Sequence, residues 1–122
     1  MVDDIYFFDS YAIVELIKEN PNYLPYRESK IATTVLNVIE VHYALFREKG
    51  PEFAKAFFNS LMKWVIPFEY VIMDANILKY SVRKQKLSSP DCIGYLLAKT
   101  HGIKFLTGDK EFANMPNVEF VK

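Results

Sequence analysis

The chain alternates short apolar runs with longer amphipathic segments, and this alternation most constrains its fold. The apolar runs, rich in β-branched and aromatic residues, cover residues 5–8, 31–34, 103–107 and 118–121. Their length and composition predict β-strands, whereas the segments between them carry apolar residues at helical spacing. Strands that alternate with helices are typical of parallel sheets, because the chain must cross back before each new strand. The sequence therefore predicts an α/β domain around a mostly parallel sheet.

Helices are predicted over much of the remaining chain. One apolar stripe, formed by Leu36, Ile39, Tyr43 and Phe46, marks a helix that ends before Gly50-Pro51. The predicted helices cover residues 12–18, residues 35–48, a segment with Phe53, Phe57, Leu61 and Trp64 on its buried face, residues 74–86 with Asp74 as its cap, and residues 89–101. Residues 65–73 also favour a strand, but Pro67 interrupts them, so a short edge strand or an extended link is expected there.

Composition indicates one compact domain over residues 1–122. With 122 residues, of which 51% are hydrophobic, the chain has material for one sizeable core. Its 15 basic and 15 acidic residues cancel, so overall charge neither favours nor excludes a nucleic-acid partner. The single cysteine, Cys92, excludes an intramolecular disulfide, and no secretory or membrane-spanning segment is apparent. We therefore expect a cytoplasmic protein without a membrane partner.

Four carboxylates lie beside or inside the most apolar stretches, where an acid is costly without partners. Asp9 follows the first predicted strand, Asp109 follows the third, Asp91 opens a helix and Glu40 interrupts an apolar helix. Ligands of such sheets bind at the carboxyl ends of the strands, and all four acids can face a crevice there. Carboxylate oxygens suit hard cations such as Mg²⁺ or Mn²⁺. The sequence therefore predicts an oxygen-only metal site.

Each acid also has a simpler structural explanation. Asp9 can cap the helix that begins near Ser10, Asp91 suits the first turn of a helix, and Asp109 suits a Gly-Asp turn. Glu40 is harder to explain this way because its helical neighbours Leu36 and Tyr43 are apolar. The prediction of a site therefore depends on all four acids together.

Four segments in order resemble the acidic motifs of the PIN domain family over nearly the whole chain. They are Phe8-Asp9-Ser10, Asn37-Val38-Ile39-Glu40, the run 89–98 around Asp91, and the run 105–112 around Asp109. The resemblance implies a parallel sheet with helices on both faces, one or two Mg²⁺ or Mn²⁺ ions, and an RNA substrate. It further implies that Asp9, Glu40, Asp91 and Asp109 are the metal-binding catalytic acids.

The stand-alone toxins of VapBC toxin–antitoxin pairs are the better model within the family, since the chain lacks the cysteine pairs of an added zinc module. The resemblance thus implies a metal-dependent endoribonuclease, the toxin of a type II pair, with an antitoxin and a second copy of itself as partners. Ser10 and Thr107 match polar positions beside the family's site. Glu111 stands where many members carry another aspartate and is a weaker candidate.

Other residues and functions are alternatives. Arg83, Lys84 and Lys86 can position RNA phosphates, although a solvated helix end explains them as well. An exposed aromatic patch would serve a homodimer or an antitoxin helix. The candidate residues for such a patch are Tyr23, Tyr26, Phe57, Phe58 and Trp64. A non-catalytic PIN-fold module that binds RNA or protein is the alternative function. A phosphoacceptor signalling domain fits poorly, because its paired acids follow the first strand, whereas Asp3 and Asp4 precede it.

Overall fold

Four short parallel strands form the central sheet of the computed structural model, which describes residues 4–122. The spatial order of the strands is β2-β1-β3-β4, and each neighbouring pair is parallel. The strands are β1 (Ile5–Phe8), β2 (Lys30–Ala32), β3 (Lys104–Thr107) and β4 (Val118–Phe120). The predicted α/β fold with a parallel sheet is confirmed, and Asp3 lies outside the described residues.

Helices connect the strands in every case. The α-helices are α1 (Ser10–Ile17), α2 (Val35–Lys49), α3 (Pro51–Met62), α4 (Ile72–Ser81) and α5 (Ser89–Thr100). Short 3₁₀ helices cover Pro21–Tyr26, Glu69–Val71 and Lys110–Phe112. No helix within residues 4–122 is long and apolar enough to cross a membrane.

The two central strands divide the core into two layers, because successive side chains of a strand point to opposite faces of the sheet. Phe7 and Phe105 pack on one face with residues of α4 and α5. Phe8 and Leu106 pack on the other face with α1, α2 and α3. All four side chains are fully buried, and each contributes about 1.5–3 kcal/mol of transfer free energy. Helices therefore cover both faces of the sheet.

Helix α5 approaches the sheet closely at Gly94. A Cβ atom at this position would lie 2.6 Å from Cε1 of Phe7 and 3.1 Å from Cε1 of Phe105, well inside normal contact distance. Glycine therefore permits the packing that brings the start of α5, with Asp91, to the carboxyl end of the sheet.

The segment 65–73, for which a short edge strand or an extended link is predicted, begins as a link and not as a strand. Val65 makes only an isolated bridge with Thr33, and the chain then turns into the 3₁₀ helix Glu69–Val71. Helix α4 begins at Ile72, so Asp74 lies in its first turn and does not cap it. The helix also ends at Ser81, five residues before its predicted end. The β-branched residues that favour a strand in segment 65–73 pair with the chain just after β2 at this one bridge only.

Most of the apolar stripe predicted as the buried face of α2 is exposed to solvent. Ile39, Tyr43 and Phe46 are exposed, whereas Val38, Val41 and Leu45 form the buried face. Glu40 is also exposed, as is its neighbour Tyr43, so a solvated side of the helix holds it and apolar neighbours alone are no argument for a site.

The predicted exposed aromatic residues are mostly covered. Tyr23 is fully buried, and Tyr26, Phe57 and Trp64 are half-buried against the core. Phe58 alone of these five is exposed. Large exposed side chains instead lie on α2 and α4, where Met73 is 80% exposed.

Candidate active site

The carboxyl ends of β1 and β3 meet at an open pocket of about 700 Å³. Asp9 directly follows β1, and its backbone N–H donates to the Leu106 carbonyl oxygen at 3.2 Å. Asp109 follows β3 by two residues, while α2 brings Glu40 and α5 brings Asp91 to the same pocket. The structure therefore places all four predicted acids around one concavity.

Asp9 is the most buried of the four acids, with 5% of its surface exposed. Its Oδ1 accepts the Ala12 N–H at 2.8 Å as the N-cap of α1, and its Oδ2 accepts the Thr107 hydroxyl. Burial raises the pKa of Asp9 to about 7, the two hydrogen bonds oppose this, and the charges of Asp91 and Asp109 add to it. Ionisation of Asp9 is therefore energetically unfavourable in the folded protein.

Asp91 is fixed by a capping box at the start of α5. The Ser88 hydroxyl accepts the Asp91 N–H at 3.2 Å, while Oδ2 of Asp91 accepts the Ser88 N–H at 2.8 Å. Burial raises the pKa of Asp91, the Ser88 hydrogen bonds oppose it, and Asp109 and Glu40 add to it. The four acids therefore interact electrostatically with one another.

Glu40 is held by a chain of side-chain hydrogen bonds. The Ser10 hydroxyl donates to Glu40 Oε1 at 2.6 Å, and Asn37 Nδ2 donates to that hydroxyl at 3.0 Å. Asn37 Oδ1 in turn accepts the Thr34 hydroxyl at 2.7 Å. Thr34 and Asn37 are buried, so this hydrogen-bonded chain anchors Ser10 and Glu40 to the protein interior. Asn37 has no predicted role of its own, although its position three residues after Thr34 is a readable helix-start signal.

Thr107 connects two acids. Its hydroxyl donates to Asp9 and accepts the Asp109 N–H at 3.0 Å. Asp109 Oδ1 accepts the Glu111 N–H at 3.0 Å. The two predicted supporting residues, Ser10 and Thr107, thus each contact an acid of the pocket.

Glu111 is directed away from the pocket. Its Oε1 accepts the Lys86 N–H at 3.2 Å, and its backbone carbonyl accepts Gln85 Nε2 at 3.3 Å. Glu111 therefore holds the segment that leads from α4 to α5.

The predicted basic residues also lie off the pocket lining. Arg83 packs over Tyr80, 4.2 Å from its ring centroid, and donates to the Tyr80 carbonyl at 2.9 Å. Lys84 and Lys86 are exposed. Two other positively charged side chains line the pocket among the described residues, Lys110 and Lys122.

The donor chemistry of the pocket suits a hard divalent cation, because its acids supply oxygen ligands. Within residues 4–122, however, no three histidine, cysteine, aspartate or glutamate side chains stand close enough to hold an ion as they are. Glu40, Asp91 and Asp109 each have one oxygen engaged by a protein donor, and Asp9 has both engaged, so side-chain rotation must bring the acids together. The acids are of the right type for a metal ion and share one pocket, but a bound cation would have to draw them closer together.

Comparisons with known proteins agree with this architecture. A family model for the PIN domain matches residues 6–118. The chain is similar to a toxin–antitoxin complex from Klebsiella pneumoniae, at 20% identity and a TM-score of 0.68, over 93% of this chain and 95% of that one. It is also similar to VapBC2 from Rickettsia felis, bound to a DNA fragment from its promoter, at 17% identity and a TM-score of 0.70, over 97% and 99% of the two chains. No curated protein matches the chain.

Proposed function

Because the chain belongs to the PIN domain family, whose members are generally nucleases, we propose that it is a metal-dependent endoribonuclease. The observation that carries this proposal is the meeting of Asp9, Glu40, Asp91 and Asp109 at one pocket. The four acids come from separate parts of the chain, and the pKa values of Asp9 and Asp91 are raised, first by burial and further by the charges of neighbouring acids. Such perturbed acids in a cleft are typical of functional sites.

The proposed reaction is hydrolysis of an RNA phosphodiester. Mg²⁺ or Mn²⁺, as one or two ions, would supply a Lewis acid that activates water and offsets charge on the leaving oxygen. Asp9, Glu40, Asp91 and Asp109 would hold it. Thr107 donates to Asp9, Ser10 donates to Glu40, and the Ser88 N–H donates to Asp91, so hydrogen bonds hold these carboxylates at the pocket, from which they must rotate to bind a cation together. Asp9 holds a proton at low pH and must release it before it can serve as a ligand.

The experiment is cleavage of a mixed pool of end-labelled structured RNAs by the purified chain with Mn²⁺, with Mg²⁺, or with chelator. The chain is expected to cut RNA with either metal and not with chelator. The sample must be folded and free of any bound antitoxin. The absence of cutting under these conditions would favour the alternative, a PIN-fold module that binds RNA or protein without catalysis.

An antitoxin protein is the second part of the proposal. Its support is the similarity of the fold to one chain in each of two solved toxin–antitoxin structures, matched over nearly the full length of that chain. The chain would then be the toxin of a type II pair, acting in the cytoplasm on cellular RNA. An antitoxin that covers the pocket would keep it inactive.

A homodimer is the third part, and an exposed apolar stripe on and before α4 supports it. Tyr70, Met73, Ile77 and Tyr80 are separated by alternating intervals of three and four residues, as along the seam of two packed helices. Their exposed fractions are 58%, 80%, 67% and 68%. Large apolar side chains exposed side by side in this way are typical of interaction surfaces.

Charges beside the stripe favour a second copy of α4 in the antiparallel direction. Asp74 lies in the first turn of α4, and Lys79 lies in the last. A twofold axis across the stripe would therefore place the acid of each copy near the base of the other.

We expect Met73→Glu to convert the dimer into a monomer, because the change buries an unpaired charge at the centre of the interface. Sedimentation equilibrium measures this. Met62→Glu, at an exposed methionine on α3, is the matched control and should remain dimeric. A wild-type chain that is monomeric at high micromolar concentration would contradict the dimer.

A further inference from the structure

Lys122 is a cation at the edge of an otherwise acidic pocket. The pocket is lined by five carboxylates, those of the four predicted acids and Glu15, and by the ammonium groups of Lys110 and Lys122. The catalytic acids would attract a metal ion, but they would repel the phosphates of an approaching RNA strand. A positively charged side chain held at this edge is therefore well placed to offset the repulsion.

The main chain at Lys122 is fixed by hydrogen bonds from three side chains. The Lys122 carbonyl oxygen accepts the Tyr11 hydroxyl at 3.3 Å and Asn20 Nδ2 at 3.2 Å. The preceding carbonyl, that of Val121, accepts the hydroxyl of the buried Tyr23 at 2.7 Å. The Val121 N–H donates to the Thr107 carbonyl at 2.9 Å, which joins this segment to the end of β3. The base of the Lys122 side chain is therefore positioned by the fold.

The Lys122 ammonium is also held in place, but not by an acid. Its Nζ donates to the Gly108 carbonyl at 3.1 Å and lies 5.5 Å from the centroid of the Tyr11 ring. Within the described residues, no carboxylate oxygen lies within the 4.0 Å of an ion pair with it. An ammonium carries three donors. As far as residues 4–122 are concerned, one donor is used by Gly108 and two can donate to an external anion.

Gly108 permits this arrangement. A Cβ atom there would collide with the ring of Tyr11 and would lie 2.5 Å from the Val121 carbonyl oxygen. Any side chain at Gly108 would thus displace Tyr11 or the segment that carries Lys122. The absence of a side chain lets this cation lie over the loop between Thr107 and Asp109, beside the acids.

We propose that Lys122 binds a backbone phosphate of the RNA strand at the edge of the acidic pocket, an inference that rests on the proposed ribonuclease function. Lysine binds phosphate as a point charge without reading the base, so Lys122 positions the strand and does not select its sequence. The contact is made before and during the reaction alike, so it affects binding more than the chemical step.

A different role for Lys122 is that of a counter-charge that only relieves repulsion among the acids. The two roles predict different results. If Lys122 were a counter-charge alone, its removal would tighten metal binding and leave RNA binding unchanged. If it binds phosphate, its removal weakens RNA binding whatever the metal affinity.

The test measures the affinity for a fluorescein-labelled RNA stem-loop by fluorescence anisotropy, with Ca²⁺ in place of Mg²⁺ to suppress cleavage, over a series of KCl concentrations. Lys122→Gln is expected to weaken binding about threefold to tenfold at low salt and to reduce the slope of log K against log[salt] by about 0.7. Lys122→Arg should restore both. Lys104→Gln, the same change at the opposite end of β3, should alter neither.

A second measurement separates this inference from the proposed function. In cleavage with Mn²⁺, Lys122→Gln should raise KM by the same factor with kcat nearly unchanged. A wild-type chain that cuts RNA while Lys122→Gln binds it as tightly, with the same salt slope, would overturn the role of Lys122 alone. A wild-type chain that neither binds nor cuts RNA would overturn both proposals.

Discussion

Asp9→Asn is expected to stabilise the metal-free protein at neutral pH, although it removes a residue proposed for the reaction. Burial raises the pKa of Asp9 from 3.8 to about 7, so the folded state binds this proton more tightly than the unfolded state does. The free energy of unfolding therefore falls as pH rises through this window, and the full cost is present above pH 7. The difference between the two pKa values sets an upper limit of about 4 kcal/mol on the stability lost when Asp9 ionises in the folded state.

Asparagine removes the charge and keeps most of the contacts. Its side-chain oxygen can still accept the Ala12 N–H, and asparagine is as good an N-cap as aspartate. Its amide can donate to the Thr107 oxygen, where the carboxylate now accepts. We therefore expect the free energy of unfolding of Asp9→Asn to exceed that of the wild type by about 1–3 kcal/mol at pH 8 and to equal it below pH 4.

Urea unfolding in chelator at several pH values measures this change. Glu28→Gln is the control because Glu28 is exposed, lies outside the pocket lining and the α4 stripe, and its change should have little effect. A loss of stability in Asp9→Asn at pH 8 would mean that the Asp9 carboxylate is a satisfied structural cap, as its place before α1 also permits.

Mn²⁺ is expected to stabilise the wild-type chain, and to do so less as pH falls below 7. A ligand that binds only the folded state adds about 2.7 kcal/mol at a hundredfold excess over its Kd. Asp9 must lose its proton to become a ligand, so the Kd for Mn²⁺ should rise about tenfold for each pH unit below its pKa of about 7. The gain should therefore be largest above pH 7 and small at pH 5.

Thermal unfolding with Mn²⁺ or with chelator, between pH 5 and pH 8, gives this dependence. Asp9→Asn should lose most of the gain at every pH, whereas Glu28→Gln should keep it. An equal gain from Mn²⁺ at pH 5 and pH 8 would show that the metal binds elsewhere.

Local sequence signals predicted the sheet well because its strands are short, apolar and bounded by turns or helices. The same signals failed on α2 because this helix exposes large apolar residues, such as Tyr43. On α4 they misplaced both ends, which lie at Ile72 and Ser81. An apolar stripe indicates the core only when the helix has no second apolar face.

The acids of the pocket were predictable because three of them follow strand ends or open a helix. The same three also act as caps, so each simple explanation holds and does not exclude a function. Their meeting with Glu40 is a property of the fold. The contact between Asn37 and Ser10, 27 residues apart, and the approach of Lys122 to Gly108 depend on tertiary packing that no local pattern encodes.

The most direct test of one catalytic site built from four acids is the rate of RNA cleavage at saturating Mn²⁺ for Asp9→Asn, Glu40→Gln, Asp91→Asn and Asp109→Asn, with Glu28→Gln beside them. We expect each of the four to lose about a hundredfold or more of the wild-type rate, because each removes a charge from the proposed metal site. Glu28→Gln should cut as the wild type does. Wild-type rates in folded variants of any two of the four acids would contradict a shared site.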